Sequence, residues 1–325
     1  MTKQWAQKER GAPFMVKLML WLSFKLGRSG VRWILYPTVL YFLLTAPQQV
    51  RASRLCLNRL LGRRATLWDV AKHFFTFSSC TQDRIFLLSN RITPFTVEAF
   101  STPAMQETIA KTPGCMLVVA HFGSTEALRL APLKTSVYCM PSSAAMSEAS
   151  AHRSVEALQV SVLIDKRSSP QISNMLESIN PALAANLIDA SERGPSLVLK
   201  LKEALEAGRL VGIAGDRTNP GERSFDVQFM GGTASMPEGP WVLAAALRVP
   251  VILGFGIYRG GAHYETHFEL FSECIVLPRQ TRNAALQAVI QRYALRLEHY
   301  VRLAPYNWFN FYDYWGEDTP PVEKP

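Results

Sequence analysis

The segment from Pro113 to Glu126 limits the possible folds more than any other part of the chain. Met116-Leu117-Val118-Val119-Ala120 is an unbroken apolar run that follows Pro113-Gly114 and stops at His121. A run this short and apolar reads as a strand buried on both faces, which requires packing layers on either side. Gly123-Ser124-Thr125 then supplies a turn and a cap, with Glu126 in the first turn of the helix that follows.

The same texture recurs downstream. Val137 to Met140 and Leu210 to Ala214 read as further strands, as does Val249 to Ile257. After a Gly260-Gly261 turn, His263 to Phe271 alternates polar and apolar residues like a half-exposed strand. Helical patterns cover Thr66 to Leu88, with Asp69 in the first turn, and Pro181 to Ala190. They return at Pro195 to Ala207, closed by Gly208, at Pro237 to Leu247 with its proline in an early position, and at Thr281 to Leu303. Strands alternating with helices imply an α/β fold. Pro141 to Ser154 is rich in serine and alanine and reads as a loop or irregular insert. The chain shows no internal repeat and no interdomain linker. Residues 1–65 read as a helical, membrane-associating region and residues 66–325 as the α/β domain.

The first region is apolar and flanked by arginines. Phe14 to Phe24 is apolar except for Lys17 and Ser23, and Trp33 to Ala46 carries no charge. The second run is shorter than the roughly 20 residues a spanning helix needs. Arg28 and Arg32 precede it; Arg51, Arg54, Arg59, Arg63 and Arg64 follow. Basic residues on both flanks fit a helix lying on an anionic leaflet, with a true span or a buried helix as alternatives. The net charge of +9, from 35 basic and 26 acidic residues, also favours an anionic partner. The five cysteines are scattered without a CxxC pair, which argues against a disulfide framework or a zinc ribbon and for a reducing compartment. The polar start Met1 to Arg10 does not resemble a secretory signal.

His121 and Glu126 form the leading candidate constellation. An imidazole at the carboxyl end of a strand sits where ligands bind in open α/β sheets. A carboxylate beside it would hold one tautomer and stabilise the imidazolium. No serine or cysteine nucleophile is attached to the pair. A second apolar strand ends in Asp216-Arg217, which would contact a substrate or pair with each other. Gly231-Gly232 leads into Pro237-Glu238-Gly239-Pro240, either a loop bringing backbone N–H groups to a phosphate or an ordinary turn before a helix. Gly254 to Gly260 lacks dinucleotide-loop spacing. His263, Glu265 and His267 share a strand face without a further ligand cluster, so no metal is expected. Neither a G-x-S-x-G elbow nor a Walker loop is present.

In this order, His-x4-Glu, Asp-Arg, the Gly/Pro-Glu-Gly loop and Leu247 to Ile252 resemble the glycerolipid and lysophospholipid acyltransferase superfamily. Within it the chain is most similar to the bacterial lipid A biosynthesis branch of lauroyl- and myristoyltransferases, whose tryptophan-containing tail Tyr306 to Tyr312 resembles. The wording of His121 to Glu126 and of Arg51-Ala52-Ser53-Arg54 resembles acyltransferases of aryl polyene lipid pathways. The resemblance spans Phe14 to Trp315. It departs at Pro141 to Ser154, at Glu126, where many members carry aspartate, and at Arg217, which replaces an expected glutamine.

The resemblance implies a mixed sheet flanked by helices and acyl transfer from a thioester to a hydroxyl or amine. The donor would be acyl-carrier protein or acyl-CoA, with no resident cofactor; the acceptor would be a membrane lipid or glycolipid. On this reading His121 removes the acceptor proton, Glu126 holds the ring, and N–H groups near Gly123 to Thr125 or the cation of Arg129 meet the oxyanion. Asp216, Arg217 and the Gly231 to Gly239 loop position substrate. The expected place of work is the cytoplasmic face of the bacterial inner membrane, monotopic or single-span. The rivals are a hydrolase that activates water with the same pair and a non-enzymatic basic membrane-binding or nucleic-acid-binding protein. No nucleic-acid motif supports the last.

Overall fold

The computed structural model describes residues 13–130, 137–139, 160–164, 176, 179–192, 194–219 and 221–316. The Pro141–Ser154 stretch, Met140 and the polar start lie outside the described residues. Helices α1 (Pro13–Arg32), α2 (Leu35–Thr45) and α3 (Pro47–Leu61) come first. Helix α4 (Leu67–Leu88) follows. Thr66 begins it with a capping box: its hydroxyl accepts the Asp69 N–H, and the Asp69 carboxylate accepts the Thr66 N–H. Among the described residues no helix is long and apolar enough to cross a membrane. The 11 residues of α2 span about 16 Å, roughly half of a hydrocarbon core.

Several of the arginines expected to flank a membrane anchor turn inward instead. Arg28 makes a two-pronged contact with the buried Asp83 of α4, at 2.7 and 2.8 Å, and also donates to the Gly261 carbonyl. Arg32 donates to the Gly261 carbonyl and the Tyr258 hydroxyl. Arg59 reaches the Met230 carbonyl; Arg63 pairs with the buried Asp69 but stays exposed itself. A guanidinium beside a desolvated carboxylate is worth more than one in water, so the Arg28–Asp83 pair ties α1 to α4, while the bonds to Tyr258 and Gly261 tie α1 to the sheet.

The α/β domain continues with β1 (Thr96–Ser101), α5 (Pro103–Lys111), β2 (Cys115–Val119) and the single turn α6 (Thr125–Leu128). Then come β3 (Val137–Cys139), β4 (Val160–Ile164), α7 (Pro181–Ala184), β5 (Leu187–Asp189) and α8 (Pro195–Glu206). The chain proceeds through β6 (Leu210–Ala214), β7 (Ser224–Phe229), β8 (Gly232–Pro237) and α9 (Gly239–Leu247). It ends in β9 (Val251–Gly260), β10 (His263–Ser272), α10 (Arg282–Leu303) and a 3-10 turn at Pro305–Asn307.

The fold is α/β with a mixed sheet flanked by helices. Its eight strands run in the order β3-β1-β10-β9-β2-β6-β4-β5, and every adjacent pair is parallel except β9 with β10. Strand β2 lies centrally and is buried on both faces. Met116 and Val118 join the core with Trp241 of α9 and Tyr293 and Leu297 of α10. Cys115 and Leu117 face Met105 of α5. Each such aliphatic side chain contributes about 1.5–3 kcal/mol by leaving water.

Three expectations are corrected. Pro181 to Ala190 is one helical turn followed by edge strand β5, because Ile188 packs with Leu163 and Leu197 around Leu201 and Val211. Pro237 closes a strand, and Pro240 occupies the first turn of α9. Residues 224–237 form an antiparallel hairpin, β7 with β8, turning at Met230-Gly231 and packed on α10.

Candidate active site

Parallel register brings the site together. Val119 of β2 pairs with Ala214 of β6, and the Gly215 N–H extends the ladder to the Val119 carbonyl at 2.9 Å. Two residues beyond that pair, at the carboxyl edge, stand His121 and Asp216. The His121 ring Nδ1 lies 2.9 Å from Asp216 Oδ1, and the His121 backbone N–H donates to Oδ2 at 3.1 Å. One carboxylate thus fixes both the main chain and the ring of the same residue.

Asp216 is fully buried, whereas the His121 side chain keeps 37% of its surface exposed. Burial pushes the Asp216 carboxyl upward, but His121 and Arg217 outweigh it and hold it at about 2. An ionised carboxylate only accepts, so Nδ1 carries the proton and Nε2 carries the lone pair. Desolvation pulls the His121 imidazole below its ordinary value; Arg217 and Arg84 add to this and Asp216 opposes it. The shift favours the neutral ring.

The sequence reading gives Glu126 the role of orienting carboxylate; the structure gives that position to Asp216. Glu126 begins the turn α6 and is engaged elsewhere, in an ion pair with Arg84 of α4 at 2.8 Å and as acceptor of the Ser124 hydroxyl at 3.2 Å. Asp216, expected to touch substrate, has no exposed surface for it. The N–H groups of Gly123 and Ser124, expected at the oxyanion, are bound to the carbonyls of Asn307 and Gly256 at 2.8 and 2.9 Å. A glycine pair makes that approach possible. Gly123 has φ +55°, and a Cβ there would stand 1.8 Å from the Gly256 carbonyl oxygen.

Arg217 stays beside the pair. Its Nε lies 3.9 Å from Asp216 Oδ2, its guanidinium donates to the Phe309 carbonyl, and it covers the Tyr312 ring at 5.5 Å. Arg129 follows α6 and is partly buried; desolvation lowers its pKa, and Glu126 opposes the shift. The proposed phosphate loop is elsewhere engaged. Gly231 lies in the hairpin turn and Gly232 opens β8, both beside Arg59 with Trp315 against Gly232; Glu238 pairs with Arg223 at 3.5 Å, and Gly239 begins α9.

Two parts of the site are given no role in the chemistry by the sequence. Arg84 sits within a helix pattern and reveals itself only through its partner. The C-terminal tail forms a wall of the site. The Phe309 N–H donates to the His121 carbonyl at 3.0 Å, Phe122 bridges to Trp308, and the Tyr314 hydroxyl donates to the Asp216 carbonyl at 2.7 Å. Its aromatic density, Trp308-Phe309-Asn310-Phe311-Tyr312, is the available clue. Among the described residues no cluster of histidine, cysteine, aspartate or glutamate is arranged to hold a metal ion.

No family model matches the chain, and no curated protein matches it.

Proposed function

We propose that the protein is an acyltransferase of glycerolipid-acyltransferase-like architecture, moving an acyl group from a carrier-protein or CoA thioester to a hydroxyl or amine of a membrane lipid or glycolipid. The observation that carries the proposal is the His121 ring, held through Nδ1 by the buried Asp216, at the carboxyl edge of the central strands. Nε2 takes the proton of the acceptor while its oxygen or nitrogen attacks the thioester carbonyl carbon. The tetrahedral oxyanion collapses, the C–S bond breaks, and the imidazolium returns its proton to the departing thiolate. Asp216 stabilises that imidazolium. The cations of Arg217 and Arg129 favour the negative charge of the oxyanion and of an anionic donor. This assignment retains His121 as base, moves the orienting role from Glu126 to Asp216, and leaves Gly231, Gly232, Glu238 and Gly239 out of the chemistry.

The test is transfer from an acyl thioester to lipid extract, followed by mass spectrometry of the product. His121→Ala is expected to lose on the order of 100- to 10,000-fold in rate while keeping the fold. Full activity in that variant sinks the mechanism. The exposure of the imidazole face supports a second reading, hydrolysis with water as acceptor. Free acid released at the full rate without any acceptor would favour it.

A further inference from the structure

Arg84, Glu126 and Arg129 form a cluster that the catalytic pair does not use. Glu126 stands in the turn α6 and Arg129 follows three residues later, so the two side chains share a side of that turn. Arg84, near the end of α4, meets the same carboxylate from the element packed alongside, with Nε 2.8 Å from Oε1. The other carboxylate oxygen takes the Ser124 hydroxyl at 3.2 Å. One carboxylate thus serves two guanidiniums, which leaves one positive charge over. Both guanidiniums have donors to spare. The Arg84 side chain is 32% exposed, and its buried Nε makes no aligned hydrogen bond, even to Glu126. Arg129 is half-buried and, among the described residues, its guanidinium has neither a hydrogen bond nor an ion pair. Burial lowers its pKa, with Glu126 opposing. A desolvated cation without a close counter-ion is costly, and an arriving anion offsets that cost. The cluster lies at the His121 end of the sheet: α6 starts four residues after His121, and Arg84 is one of the charges that depress the imidazole pKa.

We propose that Arg84 and Arg129, braced by Glu126, form the seat for a phosphate group of the substrate. Guanidiniums meet phosphate oxygens through forked N–H groups, and the surplus positive charge completes the match. Glu126 is here a positioning residue that acts through Arg84 instead of through the imidazole. The phosphate belongs either to a thioester donor, at the far end of its pantetheine arm, or to a lipid acceptor, close to the attacking atom. The nearness of the seat to His121 favours the acceptor. The proposal deepens the acyl-transfer reading and rests on it for the kind of substrate.

The test measures equilibrium binding to the full chain, without turnover. Its probes are two pairs whose members differ only in a phosphate: dihexanoyl phosphatidic acid with dihexanoylglycerol, and phosphopantetheine with pantetheine. Titration calorimetry of wild type is expected to show a preference of about tenfold or more for the phosphorylated member of one pair. A preference within the lipid pair assigns the phosphate to the acceptor, and one within the pantetheine pair assigns it to the donor. Arg84→Gln and Arg129→Gln should each lower that preference by about tenfold. Arg129→Gln removes no side-chain hydrogen bond or ion pair among the described residues, so it decides the matter even if Arg84→Gln fails to fold. Equal binding within both pairs, or a preference that Arg129→Gln leaves whole, overturns the proposal. His121→Ala should keep the wild-type preference while losing transfer. Transfer by wild type without any phosphate preference would sink the seat and leave the acyl-transfer reading; a preference that depends on both arginines, without transfer, would do the reverse.

Discussion

Asp216 holds His121 twice, through the backbone N–H at 3.1 Å and through ring Nδ1 at 2.9 Å. The doubly bound carboxylate sets both where the residue stands and which nitrogen is basic. Asp216→Asn keeps the volume, but an amide nitrogen facing the ring donates and favours the opposite tautomer. The expected loss in kcat/KM is about 100- to 10,000-fold. Glu126→Gln breaks the ion pair with Arg84 and leaves the His121 ring bonded to Asp216, so a smaller loss in kcat/KM than that of Asp216→Asn is expected. Thioester turnover by the two variants decides. The reverse order of effects would return the orienting role to Glu126.

The pH profile reports the same electrostatics. Arg217 is a cause of the depressed His121 pKa, so removing its charge lets the imidazole titrate at higher pH. In Arg217→Gln the acidic limb of kcat/KM should move upward. In Asp216→Asn, which removes the group favouring the imidazolium, it should move downward even as the plateau falls. A positioning role for Arg217 through the Phe309 carbonyl alone would lower the plateau without moving the limb.

The sequence carries much of the fold and half of the pair. Strands β2 and β6 were legible because central parallel strands are apolar throughout and end abruptly in polar residues. Had the ends of the two strands been aligned as parallel neighbours, His121 and Asp216 would have met. The x4 spacing favoured Glu126 instead, because nearness in sequence is visible and register is not. Strand β1 was hidden because its buried positions are Val97, Ala99 and Ser101, a weak alternation. Gly231-Gly232 suits a loop and a hairpin alike, so the β7–β8 hairpin does not show in the sequence. Arg28 does not announce its partner either: in sequence, a guanidinium near an apolar helix looks alike whether it meets Asp83 or a headgroup.

A buried histidine outside the site makes stability depend on acid. His73 of α4 bonds Ser53 at 2.8 Å and the Trp308 carbonyl at 2.9 Å. Burial lowers its pKa from 6.5 to about 4, with the Trp308 bond opposing. Between those values the unfolded imidazole binds a proton that the folded one does not. The stabilisation is therefore complete above about 6.5 and is lost as pH falls toward about 4, by about 3 kcal/mol. Denaturant unfolding of wild type and His73→Gln across this range should show a steeper fall in wild type. Parallel curves would remove His73 as a source.

The last prediction separates a glycine the fold requires from one a ligand was expected to require. A methyl at Gly123 meets the Gly256 carbonyl oxygen at 1.8 Å while holding φ +55°. Backbone meets backbone there, so no side-chain rotation relieves the contact. Gly123→Ala should cost about 3 kcal/mol or more and shift His121 off Asp216, since strain and overpacking each cost about 1–3 kcal/mol. Gly231 also has positive φ, at +74°, but a Cβ there meets only the end of Arg59 at 3.9 Å. Gly231→Ala should then cost about 1 kcal/mol from backbone conformation alone. Because the proposed chemistry uses no group of its turn, kcat/KM should stay within about twofold of wild type, far inside the range of losing a catalytic base. Unfolding curves and turnover measured on both variants give the answer. A selective loss of turnover in Gly231→Ala, with stability intact, would restore the hairpin turn to the binding site.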